Sequence, residues 1–325
     1  MKNPLNKIVG FNKIVRSVQA FGHELKRQAG VLKRQAHPEP EPQTLGPPKI
    51  GLALGGGFAR GLAHIGVLKV FEQEHIPIDF IAGTSVGAVI GASYASGLSA
   101  QELCEIAALV RFKDFSRWTI SRFGLFSNDR MLPFLRKVLR SKTFEELRIP
   151  FAVTATDIRT GEAVVFTSGD LAGPVRASCA YPGMFQPVEI DGRLLVDGLL
   201  AHAVPAAPLR DMGAERVVSV HLPAAWVKAD GPRHVFDIIG QCFSIAQDRM
   251  GGAWRSVSDL VMEPEIGNFA YDDFERAPEL IRAGEIAALA ALPKIRQWFP
   301  LAQQGAAPLP KAKAIDPVEI PVTAK

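Results

Sequence analysis

Two glycine-rich loops and one strand-end aspartate supply the residue types that could do chemistry in this chain. Phe80-Ile-Ala-Gly83-Thr-Ser85-Val-Gly87-Ala-Val-Ile-Gly91 sets a Gly-x-Ser-x-Gly turn between an apolar run, Ile76 to Ala82, and small helix-forming residues. In that setting the pentapeptide reads as a nucleophile elbow. A strand ends, the chain turns sharply, a helix begins, and Ser85 stands at the strand's carboxyl end in a strained backbone conformation. Gly83 and Gly87 belong there because a Cβ at either would crowd the turn. The first amides of the following helix favour developing negative charge.

The second loop comes earlier. Ile50 to Leu54 reads as a strand running into Gly55-Gly56-Gly57-Phe58-Ala59-Arg60-Gly61, and a helix follows from Leu62 to Glu74. Strand, glycine loop and helix present backbone amides to an anion. A dinucleotide loop would carry a third glycine where Arg60 stands, and no acidic residue ends a second strand about twenty residues on. A Walker loop would continue Gly-Lys-Ser/Thr, which is absent. An oxyanion hole explains both loops with one site, because sequential strands of such sheets are often neighbours and the glycine amides could share a rim with Ser85.

A serine hydroxyl is a poor nucleophile near neutral pH and needs a base within hydrogen-bond reach. Pro187-Val-Glu-Ile-Asp191-Gly192-Arg-Leu-Leu-Val-Asp197-Gly198 holds two Asp-Gly pairs. Asp191-Gly192 joins two strand-like runs, as in a two-residue hairpin. Asp197 follows the buried run Leu194-Leu195-Val196, so its carboxylate emerges at a strand end. It could cap the helix after Pro205, or it could be the general base. Two arrangements are open: a triad in the order Ser85, Asp197, His221, with His221 ending a further strand, or a dyad in which Asp197 bonds Ser85 directly. His64, inside the first helix, reads as a core residue. His75, His202 and His234 have no motif around them.

The elements that must position these residues follow the apolar pattern. Helices are expected over Val86–Ser96, Ala100–Val110 and Asp170–Ser178, and from an Asn128-Asp129-Arg130 cap to about Arg140. Strands are expected over Pro150–Asp157, Glu162–Thr167, Arg216–Leu222 and Asp259–Met262. A last helix spans Ala277 to Trp298, with Leu280, Ile281, Ile286, Leu289 and Leu292 on its buried side. Residues 111–127 mix aromatics with cations at no clean period, as a packed excursion loop or a lipid-contacting flap would.

The 325 residues carry a net charge of +4, unevenly placed. Residues 1–36 hold eight Lys/Arg against Glu24 alone, leaving 29 basic and 32 acidic residues in the remainder. The body therefore gives no reason to expect nucleic acid. Residues 5–34 read as a helix with Phe11, Val15, Val18, Leu25 and Leu32 on one stripe and Lys13, Arg16, Arg27 and Arg34 opposite. It could lie on an anionic membrane surface or dock on protein. Residues 37–48 are a stiff Pro-rich linker, and 300–325 read as a disordered tail. Cys104, Cys179 and Cys242 lack CxxC spacing, so neither a disulfide framework nor a zinc site is expected. No apolar run is long enough to span a membrane, and no signal peptide is evident. The expected location is cytoplasmic, peripheral at the inner membrane surface if the leader binds lipid.

Taken together, the chain resembles the patatin-like phospholipase family, in particular its bacterial single-domain members, from Lys49 to about Leu289. The resemblance rests on Gly55-Gly-Gly-Phe-Ala-Arg-Gly-Leu-Ala-His-Ile-Gly-Val-Leu68, Gly83-Thr-Ser-Val-Gly87, Arg176-Ala-Ser-Cys-Ala-Tyr-Pro-Gly-Met-Phe185 and Val196-Asp-Gly198. It implies a three-layer α/β/α fold with a central, mostly parallel sheet over residues 49–299, and a serine acyl hydrolase of lipid esters. It also implies a dyad in place of a triad, with Ser85 as nucleophile, Asp197 as base, and the amides of Gly56, Gly57 and Phe58 as oxyanion donors. Gly55, Arg60, Gly61, Gly83, Gly87 and Gly198 support the motifs. No metal or cofactor is implied. Phe58 stands where the family commonly has another glycine, Leu199 where it favours Gly or Ala, and His202 where asparagine is usual.

Overall fold

The computed structural model describes residues 46–121, 124–223, 235–267, 269–270 and 272–299. The leader 1–36, the linker up to residue 45 and the tail 300–325 lie outside the described residues. In chain order the elements are β1 (Ile50–Leu54), α1 (Ala63–Gln73), β2 (Phe80–Thr84), α2 (Val86–Ala95), α3 (Ala100–Leu109), α4 (Phe112–Phe115), β3 (Arg117–Ser121), β4 (Gly124–Ser127) and α5 (Met131–Val138). They continue with β5 (Phe151–Asp157), β6 (Ala163–Phe166), α6 (Ala172–Ser178), β7 (Val188–Ile190), β8 (Arg193–Asp197), α7 (Ala206–Asp211), β9 (Arg216–Val220), α8 (Val235–Val257), β10 (Leu260–Met262) and α9 (Ala277–Arg296).

The main sheet runs β10-β9-β1-β2-β5-β8-β7, with β6 also on β5. From β10 to β5 every pairing is parallel, while β6, β7 and β8 pair antiparallel. Side-chain alternation divides the central strands into two unequal faces. Ile50, Leu52, Leu54, Ile81, Val153, Val218 and Val220 enter one large core with α1, α2, α3, α5 and α9. On the other face the strands offer Ala53, Ala82 and Ala152 to Leu209 of α7 and Trp254 of α8. The result is a three-layer α/β/α arrangement, bulky on one face and close-packed on the other.

Asp191 and Gly192 both adopt positive φ, 49° and 74°, as the hairpin turn between β7 and β8 requires. The described part of residues 111–127 is more regular than the sequence suggests: α4 and the antiparallel pair β3–β4 occupy it, with phenylalanine contacts such as Phe112 on Phe126 at 5.3 Å between ring centroids. At the start of α5, Met131 N–H is taken by the Asn128 carbonyl, with no side-chain cap. Asn128 and Asp129 receive Arg176 instead. The 23-residue helix α8 has no counterpart in the elements read from the sequence.

The last helix corrects an expectation. Leu280, Ile281 and Leu292 are buried, but Ile286 and Leu289 are 56% and 44% exposed. The buried stripe runs Ala277, Leu280, Ile281, Gly284, Ala288, Ala291, Leu292, Ile295 and so selects small residues. α9 lies so close to α1 that a Cβ on Gly284 would sit 1.8 Å from the Ala63 carbonyl oxygen, and one on Gly66 2.0 Å from that of Ile281. Large side chains are excluded from the contact by geometry, not by polarity.

Gly284→Ala is therefore expected to destabilise the protein by about 1–3 kcal/mol through overpacking, lowering Tm by several degrees. Gly252→Ala on α8, where a Cβ would meet nothing within 4 Å, should leave Tm unchanged or raise it. Thermal unfolding of the two variants beside the parent checks both.

Candidate active site

The register of β5 explains how two residues 112 positions apart meet. β2 covers Ile81–Thr84 against Phe151–Thr154, and β8 covers Leu195–Asp197 against Ala155–Asp157. β6 overlaps both stretches, pairing Val153–Thr156, so it must occupy the opposite edge. β2 and β8 thus share one edge of β5 and arrive along it from opposite directions. Thr84 pairs Thr154 and Asp197 pairs Ala155, which leaves Ser85 facing Asp197 across the gap between the two strand ends.

Ser85 Oγ donates to Asp197 Oδ2 at 2.7 Å. The other carboxylate oxygen, Oδ1, accepts the Leu199 N–H at 3.0 Å. Ser85 holds φ 56° and ψ −126°, a sparsely populated conformation of the kind that costs about 1–3 kcal/mol and persists where the surroundings over-determine it. The turn is as tight as the motif suggests: a Cβ on Gly87 would lie 2.1 Å from the Leu54 oxygen, and one on Gly83 2.5 Å from Ala88 Cα. Two hydroxyls fasten the pair to its scaffold. Ser178 Oγ accepts Ser85 N–H at 2.8 Å and donates to the Thr154 oxygen at 2.7 Å. Thr156 Oγ1 donates to the Asp197 carbonyl at 2.9 Å. Neither was singled out in the sequence; Ser178 lies inside the Arg176–Phe185 stretch, which gave the only signal.

Asp197 is fully buried, and desolvation raises its pKa to about 7, against the Leu199 N–H and the Ser85 hydroxyl, which favour the ionised form. His64 is fully buried too and is held neutral, its pKa lowered to about 4 by burial. Its Nε2–H donates to the Gly55 oxygen at 2.8 Å, so it orients the glycine loop. Arg60 is nearly inaccessible; its Nη1 donates to the Pro223 oxygen at 3.3 Å, and burial lowers its pKa to about 10.

The glycine loop divides in two. Gly55 and Gly56 donate to the carbonyls of Val220 at 3.1 Å and Ala203 at 3.2 Å. The Gly56 amide, expected among the oxyanion donors, is thus bonded to the Ala203 carbonyl. Gly61 lets Val86 pack against the loop, since a Cβ there would lie 2.2 Å from Val86 Cγ1, and Gly198 lets β8 pass the Thr154 oxygen, 2.2 Å from a hypothetical Cβ. Phe58 takes φ 52°, a left-handed position that costs a side chain on the order of 1–2 kcal/mol. Its ring meets Tyr181 edge-on with centroids 5.1 Å apart. Leu199 keeps the backbone amide that bonds Asp197 and lays its side chain against Gly56, where a Cβ would meet Leu199 Cδ2 at 2.4 Å.

His221 does not join this group. Its Nδ1 lies 2.8 Å from Glu263 Oε1, beside Arg255 and Trp254, while both Asp197 oxygens are bonded elsewhere. The Ser85-Asp197-His221 order is therefore not assembled. Asp197 does not cap the helix after Pro205 either, since α7 has no side-chain cap.

Ser85 opens into a cavity of about 120 Å³ that runs under the large core face. Leu62 and Ile65 line it with Val86, Val89 and Ile90 of α2, Leu103 and Ile106 of α3, Phe134 and Val138 of α5, and Phe58 and Phe274. Among the described residues no charged side chain lines it, and the Ser93 hydroxyl is turned onto the Val89 oxygen of its own helix. A buried serine hydroxyl bonded to a buried carboxylate thus lines an apolar cavity.

Residues 52–210 match the family model described as patatin-like phospholipase. An NTE family protein of Mycobacterium tuberculosis is 37% identical over 190 residues, 54% of this chain and 49% of that protein. Human patatin-like phospholipase domain-containing protein 6 is 34% identical over 184 residues, 53% of this chain and 13% of that protein. Lysophospholipase NTE1 of Mycosarcoma maydis is 33% identical over 235 residues, 68% of this chain and 12% of that protein. The matched region spans about half of the mycobacterial relative and about an eighth of the other two.

The raised pKa of Asp197 has a cost in stability. Because the folded state holds this proton more tightly than the unfolded chain, stability falls as pH rises from the unfolded value, 3.8, to about 7, and is level above. A shift of that size corresponds to at most about 4 kcal/mol. Asp197→Asn, which removes the charge, should raise Tm relative to the parent. That advantage should grow between pH 5 and pH 7 and level off above pH 7, as thermal melts across that range will show.

Proposed function

We propose that this chain, whose residues 52–210 match the patatin-like phospholipase family model, is a serine acyl-ester hydrolase of lipids working through a Ser85–Asp197 dyad. The observation that carries the reading is the 2.7 Å hydrogen bond from Ser85 Oγ to Asp197 Oδ2 at the head of an uncharged apolar cavity. Such a cavity offers a fatty-acyl chain its burial, at roughly 0.8 kcal/mol per methylene, and holds the ester carbonyl at the nucleophile.

Ser85 Oγ attacks the carbonyl carbon as its proton passes to Asp197 Oδ2. The negative charge that develops on the carbonyl oxygen is received by the amides of the glycine loop. With Gly56 committed to Ala203, that role falls to Gly57 and Phe58, and one such donor is worth about 2.7–4 kcal/mol. Collapse of the intermediate breaks the bond to the alcohol oxygen, which takes the proton back from Asp197. Water then attacks the acyl-enzyme carbonyl, gives its proton to Asp197, and leaves the fatty acid free and Ser85 reprotonated. Asp197 must be ionised for each attack, and a base with a pKa of about 7 is matched to work near neutrality.

Residues 49–299 are assigned to this catalytic domain. The basic leader, 1–36, is assigned to peripheral contact with an anionic membrane surface, on the strength of its charge and apolar stripe.

A fluorophosphonate probe is expected to label the protein, with labelling abolished in Ser85→Ala and reduced at least a hundredfold in rate in Asp197→Asn. Absence of labelling in the folded parent would sink the hydrolase reading. In esterase assays kcat/KM should fall about tenfold per pH unit below pH 7, since protonated Asp197 cannot accept. His221→Ala, by contrast, should keep most activity. Phe58→Gly relieves the left-handed strain and widens the channel mouth. It is expected to shift preference towards bulkier acyl groups, measured as the ratio of kcat/KM for branched and straight-chain esters.

A further inference from the structure

The β2–β5 ladder shows where an ordinary parallel pair would have placed Ser85. Ile81 N–H donates to the Pro150 oxygen at 3.0 Å, and in a parallel pair the donors on one strand recur every second residue. With the register Thr84 to Thr154, the rung at Ser85 would fall on the Thr154 oxygen. It does not. The Ser178 hydroxyl is inserted into that rung, accepting from Ser85 N–H at 2.8 Å and donating to the Thr154 oxygen at 2.7 Å. One residue on, the same edge of β5 is taken by Asp197, paired with Ala155. The inserted hydroxyl keeps Ser85 off β5 at the place where β8 must enter.

We propose that Ser178 is a positioning residue of the reaction: its hydroxyl is a spacer between Ser85 and β5 that sets the nucleophile at hydrogen-bond distance from Asp197. The inference rests on the dyad reading above. Ser178 is fully buried and touches no reacting atom in its role. It also uses the Ser85 amide, which is thereby withdrawn from oxyanion binding. Without the spacer, Ser85 N–H closes directly onto Thr154, and Oγ is drawn away from the carboxylate.

That displacement has a signature that simple loss of stability lacks. The groups facing Asp197 are the Ser85 hydroxyl and Leu199 N–H by hydrogen bond, and the Cys179 thiol and Tyr181 phenol through space. Arg60 acts on Tyr181 in turn. Burial pushes the thiol and the phenol up, so neither titrates near pH 7. Losing the Ser85 donor removes a group that favours the ionised carboxylate.

The deciding experiment compares the parent, Ser178→Ala and Ser178→Thr by carboxyl carbon NMR titration of Asp197, with Tm, kcat and KM beside it. In Ser178→Ala the Asp197 titration, and with it the acid limb of activity, is expected to move to higher pH. kcat should fall 10- to 100-fold while KM stays within about twofold, because the channel is untouched. Ser178→Thr, which keeps the hydroxyl, should restore both. An unchanged titration in Ser178→Ala, or activity lost only in step with Tm, overturns the proposal. The NMR reading needs no turnover, so it decides the spacer role even if the parent hydrolyses nothing, an outcome that would count against the hydrolase reading alone.

Discussion

The site depends on one topological constraint: a single edge of β5 is used by two strands that run in opposite senses. A parallel neighbour, β2, delivers its carboxyl end to Thr154, and an antiparallel neighbour, β8, delivers its carboxyl end to Ala155. Carboxyl ends of parallel strands all point to one rim of a sheet, where ligands gather in α/β folds. The antiparallel β8 brings an acid to that rim from the other side, so the Ser85 hydroxyl and the Asp197 carboxylate meet directly. A histidine relay needs a gap wide enough for an imidazole. Here a 2.7 Å contact fills the gap, and His221, which follows the end of β9, is held by Glu263 instead.

The same constraint sets the electrostatics. A carboxylate brought to a strand end inside the sheet rim is cut off from water, and the two hydrogen bonds it receives only partly offset the desolvation that carries its pKa to about 7. A carboxylate in water, with a pKa near 4, would be too weak a base to help a hydroxyl. The burial that weakens the fold is therefore what would suit Asp197 to the base role proposed for it near neutral pH. His64 meets the opposite fate in the same interior: held neutral, it serves as a fixed donor to the Gly55 oxygen.

Much of this was legible in the sequence, for a physical reason. Ser85, Gly83, Gly87 and the Gly55–Gly61 loop announce themselves because their backbone geometry tolerates few residue types. Asp197 stands out as a charge at the end of an apolar strand. Features that rest on pairing and packing were hidden. Which edge of β5 each strand takes is written in no local pattern, so residue spacing alone left dyad and triad level, and only the family resemblance favoured the dyad. Ser178 and Thr156 act through one hydroxyl each, and serine and threonine are too common to signal that. The exposure of Ile286 and Leu289 shows the same limit: apolar size suggested the buried face of α9, but the closeness of α1 gave that face to Gly284 and the alanines.

Of the three departures from the residues usual in the family that the chain resembles, Phe58 and Leu199 bear on the shape of the site. Both positions contribute to the site through backbone: Phe58 through its place in the glycine loop, Leu199 through the amide 3.0 Å from Asp197 Oδ1. A substitution cannot remove such a group unless it introduces proline. What the side chains change is the wall around the reacting atoms. Phe58 accepts a left-handed backbone in order to pack on Tyr181, and Leu199 covers the glycine loop in a cluster with Tyr181, Met184 and Phe185. Phe58 lines the cavity, whereas Leu199 packs on Gly56 beside it. Because both positions keep their place through backbone, the residue type there changes the packing on Tyr181 and Gly56 and leaves the Leu199 N–H bond to Asp197 intact.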